Sequence, residues 1–167
     1  LSTAFDISTA TLISTTQLTE PGETDATFSF LPHAIEFKPD GTRMFVVRNT
    51  GTLVYQYDLS TAWDVSTISF STKYDVSDEN QLRSLTFKPD GSRMYVTGNE
   101  NEKIKEYSLS TPWDITTSNV THVRDSVALT STDNNPRNIQ FSKEGTEFYY
   151  AGNGLSLIHI SEPTRPT

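Results

Sequence analysis

One ten-residue stretch constrains this chain more than any other feature, because it occurs three times. It reads Phe37-Lys38-Pro39-Asp40-Gly41-Thr42-Arg43-Met44-Phe45-Val46, returns fifty residues later as Phe87-Lys88-Pro89-Asp90-Gly91-Ser92-Arg93-Met94-Tyr95-Val96, and survives in worn form as Phe141-Ser142-Lys143-Glu144-Gly145-Thr146-Glu147-Phe148-Tyr149-Tyr150. A period of this length belongs to solenoids, propellers or arrays, in which one supersecondary unit is stacked on copies of itself. Within the stretch, Pro pre-sets its φ, Asp caps the local backbone and Gly tolerates positive φ. Apolar runs on both sides of such a turn read as a β-hairpin. The chain therefore holds the same hairpin three times.

The repeat is wider than the hairpin. Residues 37–65 align on 87–115 without a gap, with 15 of 29 positions identical, including Asn49/Asn99, Tyr57/Tyr107 and the block Leu-Ser-Thr-x-Trp-Asp at Leu59–Asp64 and Leu109–Asp114. Leu1-Ser2-Thr3-Ala4-Phe5-Asp6-Ile7 is a further version of that block, so the chain opens partway through a unit. In the middle copy, strands are expected at Thr67–Val76, Gln81–Lys88, Arg93–Gly98 and Lys103–Leu109. Turn-rich pieces separate them. No window sustains apolar residues at helical spacing, so essentially no helix is expected.

Phe-x-Pro-Asp-Gly-x-x-Met-Tyr-Val followed by Tyr-x-Leu-Ser-Thr resembles the blades of YVTN/WD40-like β-propellers. The resemblance implies an all-β fold of about three four-stranded antiparallel blades, too few to close a ring. The expected organisation is propeller blades over residues 1–154, in units of about 1–58, 59–108 and 109–154. Residues 155–167 resemble the conceptual translation of a sequencing adapter, so both ends of the chain look cut. A three-blade arc implies two bare blade faces and association with the remaining blades of a parent chain. Phe37, Phe87 and Phe141, with Ile35, Leu85 and Ile139 two residues earlier, are expected to be buried between blades.

The chain of 167 residues carries a net charge of −8. Nucleic-acid binding needs a basic face and is excluded on this count. Cysteine is absent, which removes disulfides, thiolate metal sites and Cys nucleophiles. No apolar run is long enough to span a membrane as a helix. With 25 Thr and 19 Ser, the composition favours half-buried strands, and an extracellular, cell-surface or virion location is favoured.

Candidate site residues come from comparing equivalent positions. Four residues before each repeat Phe stand His33, Arg83 and Arg137, three donors in an otherwise acidic chain. They are expected at the mouth of the central channel, able to bind an anionic or carbonyl-bearing ligand. Trp63, Trp113 and Phe5 share a position and read as packing anchors. Asp6, Asp64 and Asp114, which follow them, read as turn caps. Arg43 and Arg93 are expected to pair with nearby carboxylates. His122 stands with Asp125 but far from the other histidines. No catalytic set, calcium loop, zinc site or cofactor motif can be assembled.

These residues favour a non-enzymatic binding or structural module, with a protein or small ligand at the channel mouth or blade surface and no cofactor. The alternative is a propeller enzyme, either a lactonase-like hydrolase or a quinoprotein-type oxidoreductase, with most of its site outside this chain.

Overall fold

The computed structural model describes residues 4, 6–18, 31–48, 51–77, 79, 81–99, 103–126, 136–152 and 158–161. Eleven described strands form three antiparallel sheets. The first holds β1 (Pro32–Phe37), β2 (Arg43–Arg48), β3 (Leu53–Leu59) and β4 (Ile68–Asp75), hydrogen-bonded in that order. The second repeats it with β5 (Leu82–Phe87), β6 (Arg93–Gly98), β7 (Ile104–Leu109) and β8 (Val120–Asp125). The third contains β9 (Pro136–Phe141), β10 (Glu147–Gly152) and β11 (Ile158–Ser161), with β10 in the middle. The only described helical pieces are three-residue 3-10 turns at Ile7–Thr9, Val65–Thr67 and Thr117–Asn119. This is the all-β, unclosed arc of propeller sheets that the repeat implies.

The hairpin turns form as their residues dictate. Asp40 accepts from the Thr42 backbone N–H at 3.0 Å and Asp90 from that of Ser92 at 2.9 Å. Gly41, Gly91 and Gly145 all have φ between +70° and +74°. The sheet frame is offset by one strand from the sequence frame. β4 follows the Leu-Ser-Thr-x-Trp-Asp block of the second sequence unit, yet it pairs with β3 of the first sheet. Ile158–Ser161 pairs with β10 as Ile104–Leu109 pairs with β6.

Two cores hold the first two sheets. Between them lie Phe45, Val47 and Val54 of the first sheet and Leu85, Phe87, Met94, Val96, Tyr107 and Leu109 of the second, closed by Trp113 and Ile115. The Phe45 and Phe87 rings stand 4.5 Å apart, and Trp113 covers Phe87 at 4.9 Å. On the other face of the first sheet, Met44, Val46, Tyr55, Tyr57 and Leu59 form a second core with Leu18 and Phe37 packed against it. That face is therefore not bare along its middle strands, contrary to expectation. At its margin Ile35 (51%) and Trp63 (59%) stay exposed.

Of the six residues expected between blades, Leu85, Phe87 and Ile139 are buried at 4–6% exposure, while Phe37 and Phe141 are half-buried. Ile35 is the correction. It sits on the face of β1 turned away from the second sheet, where no described strand faces it. Asp6, Asp64 and Asp114 cap as expected, accepting from the backbone N–H of Ser8, Ser66 and Thr116 at 2.9–3.0 Å. Arg43 pairs with Asp58 at 3.0 Å and reaches across to donate to the Trp113 carbonyl at 2.7 Å. Arg93 pairs with Glu106 at 3.6 Å.

Candidate functional site

β1, β5 and β9 are the first strands of their sheets and lie side by side along one edge of the arc. Ser84 stitches two of them, donating to Asn138 Oδ1 at 3.1 Å while its Oγ accepts from the Ile139 backbone N–H at 3.2 Å. Because the three strands start in equivalent places, the side chains four residues before each repeat Phe converge. A cleft of about 530 Å³ is lined by His33, Arg83 and Arg137, with Glu36, Ser84 and Asn138 further along the same strands. The geometry thus brings together all three residues singled out in the sequence.

Arg83 is the most constrained of them. Its Nη1 lies 3.2 Å from His33 Nδ1 and 3.4 Å from Nε2. Its Nε donates to Asn99 Oδ1 at 3.0 Å and its Nη2 to Gln81 Oε1 at 2.8 Å. Burial lowers the His33 pKa from its ordinary value, the Arg83 charge lowers it further, a hydrogen bond with the Leu82 backbone opposes this, and Arg137 adds to the depression. Burial, and then Arg137, push the Arg83 pKa down, but a guanidinium remains charged at any physiological pH.

Glu36 was missed by the sequence comparison, although a signal existed. One residue before each repeat Phe stand Glu36, Thr86 and Gln140, all polar and all in the cleft. Burial pushes the Glu36 carboxyl up from its ordinary value, which makes its carboxylate a better proton acceptor. The cleft therefore combines a basic carboxylate, two guanidiniums and an imidazole. Such a set can bind an anionic or carbonyl oxygen and can take a proton from water.

Other features do not compete. A cleft of about 600 Å³ opens beside the third hairpin, lined by Phe87, Lys88, Asp90, Phe141, Lys143 and Gly145 among others. Its Lys88 is already paired with Asp90 at 2.7 Å. His122 hydrogen-bonds Asp125 at 2.8 Å on β8, the outer strand of its sheet, away from the first strands that line the cleft. Among the described residues no group of His, Asp and Glu could hold a metal ion, and no helix is long and apolar enough to cross a membrane.

Comparison with known proteins agrees with this fold and changes the functional expectation. The model of the family described as "Lactonase, 7-bladed beta-propeller" matches residues 4–161. No curated protein matches the chain. Among solved structures, the periplasmic gluconolactonase of Pseudomonas aeruginosa is similar with a TM-score of 0.58 at 14% identity, over 79% of this chain and 36% of that one. A candidate 6-phosphogluconolactonase of Bacteroides fragilis gives 0.54 at 17% identity, over 72% and 32%. Hydrazine synthase of Kuenenia stuttgartiensis gives 0.57 at 20% identity, over 86% and 36%. The chain thus spans about a third of the length of the solved structures it resembles. At such identities the structural likeness speaks for the propeller alone. The family match corrects the expectation of a non-enzymatic binding or structural module, and it supports the hydrolase alternative instead.

Proposed function

Because this chain belongs to the seven-bladed lactonase β-propeller family, we propose that it supplies part of a hydrolytic site for a lactone, centred on the cleft of His33, Glu36, Arg83 and Arg137. The observation that carries the reading is the convergence of these side chains from three sheets on one cleft.

The chemistry follows from the groups. A lactone carbonyl carbon becomes tetrahedral when a water oxygen adds to it, and negative charge develops on the carbonyl oxygen. Arg83, held by Gln81 and Asn99, offers N–H donors to that oxygen, and Arg137 adds positive charge. Glu36, made more basic by burial, takes the proton of the attacking water. Collapse of the intermediate breaks the ring C–O bond. The ring oxygen leaves as a hydroxyl on receiving that proton, and the product is an open-chain hydroxy acid.

His33 and Arg83 are in contact, so the imidazole limits where the guanidinium can go. Arg137 is exposed and can follow a ligand carboxylate, phosphate or hydroxyl.

The test is hydrolysis of aldonolactones by the purified chain, read by acid release at constant pH. Glu36→Gln is expected to lower kcat about 100-fold, the scale of one general base, with KM little changed. Arg83→Met is expected to lower kcat/KM by a similar factor. Release no faster than in buffer, or equal rates in all three proteins, would overturn the reading.

A further inference from the structure

The Arg83 side chain is held by a frame that the lactone chemistry does not itself require. Gln81 Oε1 accepts from Arg83 Nη2 at 2.8 Å and from Asn99 Nδ2 at 3.0 Å, while Asn99 Oδ1 accepts from Arg83 Nε at 3.0 Å. The backbone joins the same two residues, since the Asn99 N–H donates to the Gln81 carbonyl at 3.2 Å. Gln81 also forms a parallel bridge with Gly51, in the β2–β3 turn of the first sheet. The frame therefore spans the junction between the two sheets. Gly98 makes room for it, because a Cβ there would lie 2.8 Å from the Gln81 carbonyl oxygen and 2.6 Å from a Glu79 carboxylate oxygen. In the first unit the position of Gln81 is taken by Leu31, so His33 has no such frame of its own.

The contact between Arg83 and His33 has a chemical consequence. A guanidinium has five N–H donors and no acceptor. An imidazolium also has only donors. Nη1 lies 3.2 Å from Nδ1 and 3.4 Å from Nε2, and either contact is a hydrogen bond only when the ring is neutral and keeps a lone pair. The charged groups in the cleft around His33 are Arg83 on β5, Arg137 on β9 and Glu36 on its own strand, and the two arginines both disfavour a second proton on the ring.

We propose that Gln81 and Asn99 are positioning residues that lock the Arg83 guanidinium onto the His33 ring, so that the cleft receives a neutral imidazole. The frame touches no reacting atom and acts through Arg83. Its consequence for catalysis rests on the hydrolase reading above, but its effect on His33 does not.

The experiment follows the His33 ring signals by NMR across pH in the full chain, with Gln81→Ala and Asn99→Ala made both in the natural background and in Arg83→Met. In the natural background His33 titrates below the ordinary histidine value of 6.5, and each frame substitution moves the midpoint upward. In Arg83→Met the midpoint is already raised, and the frame substitutions move it no further. The Arg83 Nε–H signal, protected in the natural chain, exchanges rapidly in both Ala variants and is retained in Gln81→Glu, which keeps the accepting oxygen. Should Asn99→Ala not fold, Asn99→Ser and the Gln81 pair carry the same test. Where hydrolysis is measurable, kcat/KM falls about tenfold in the Ala variants, the size of one charge-assisted hydrogen bond.

A midpoint unmoved by Gln81→Ala and Asn99→Ala overturns the proposal. So does an equal shift in the Arg83→Met background, which would mark a merely structural role. Predicted titrations without any hydrolysis would uphold the frame and sink the hydrolase reading. Hydrolysis with an unmoved midpoint would do the reverse.

Discussion

Trp63 and Trp113 occupy one position of the repeat, adopt one backbone conformation and meet different fates. Both lie in the left-handed region, at φ +65° and +62°, which is unusual for a bulky side chain. Both donate their backbone N–H to the carbonyl of the hairpin glycine, Gly41 or Gly91, at 3.0 Å. Both lay the indole on that glycine, so closely that a Cβ there would fall within 2.4 Å or 2.0 Å of an indole atom. Yet Trp113 is 7% exposed and Trp63 is 59% exposed. The difference is the neighbour. Trp113 meets Phe45 of the preceding sheet at 6.2 Å, whereas no described sheet precedes the one that carries Trp63. The corner conformation is thus local, set by the Leu-Ser-Thr-x-Trp-Asp block and the glycine. The burial is tertiary, set by the adjoining sheet.

The third corner extends the comparison. Gly145 keeps the same positive φ, but nothing lies within 4 Å of where its Cβ would be. Among the described residues no indole covers it, and Phe141 is left half-buried where Phe87 is buried.

The largest expected effect separates the two indoles. Trp113→Ala should cost about 3–5 kcal/mol of unfolding free energy in a denaturant titration, and Trp63→Ala about 1 kcal/mol or less. Equal losses would mean that the outer face of the first sheet is as well covered as the inner one. Next come the glycines. Gly145→Ala pays only for its positive φ, about 1–2 kcal/mol. Gly91→Ala adds a collision with the Trp113 indole, about 1–3 kcal/mol more. Parity between them would show that the indole yields without strain.

The smallest effect is on pH dependence. Asp64 is lowered from its ordinary value by its Ser66 hydrogen bonds. At Asp114 burial acts upward, but the Thr116 and Asn119 hydrogen bonds and Arg43 outweigh it and the net shift is downward. A depressed carboxylate contributes stability above its unfolded value, and that stability is lost as pH falls below about 3.8 through the folded value. Asp114→Asn should therefore flatten the acid slope of stability more than Asp64→Asn, since only Asp114 faces Arg43 across the sheet junction at 4.0 Å. An identical slope in the two variants would remove the junction from this account.

Much of this was readable from residues alone. The turn chemistry of Lys-Pro-Asp-Gly is local, so the hairpins follow directly from sequence. Equivalent positions in a repeat occupy equivalent places, which is why His33, Arg83 and Arg137 could be grouped before any cleft was seen. Three things needed the tertiary arrangement. The polar residue one before each repeat Phe hints at Glu36, but only the placement of the strand edge shows that it enters the cleft. Ile35 follows the period-2 rule correctly, but that rule cannot say whether a sheet stands opposite. Gln81 and Asn99 are 18 residues apart and meet only because β5 and β6 form a hairpin whose open end also touches Gly51. The functional class was not legible, because composition and the absence of an assembled catalytic set favour a binding module while the family match points to a lactonase.

The proposed site requires that equivalent positions of three sheets act on a single ligand. The direct measurement is an amide-shift titration of the chain with an aldonolactone, reading His33, Arg83 and Arg137 against Trp63 as an exposed control. The three should respond with one shared midpoint, Arg83→Met should abolish the response at all three, and Trp63 should stay unmoved. Separate midpoints, or a response centred on Trp63, would contradict it.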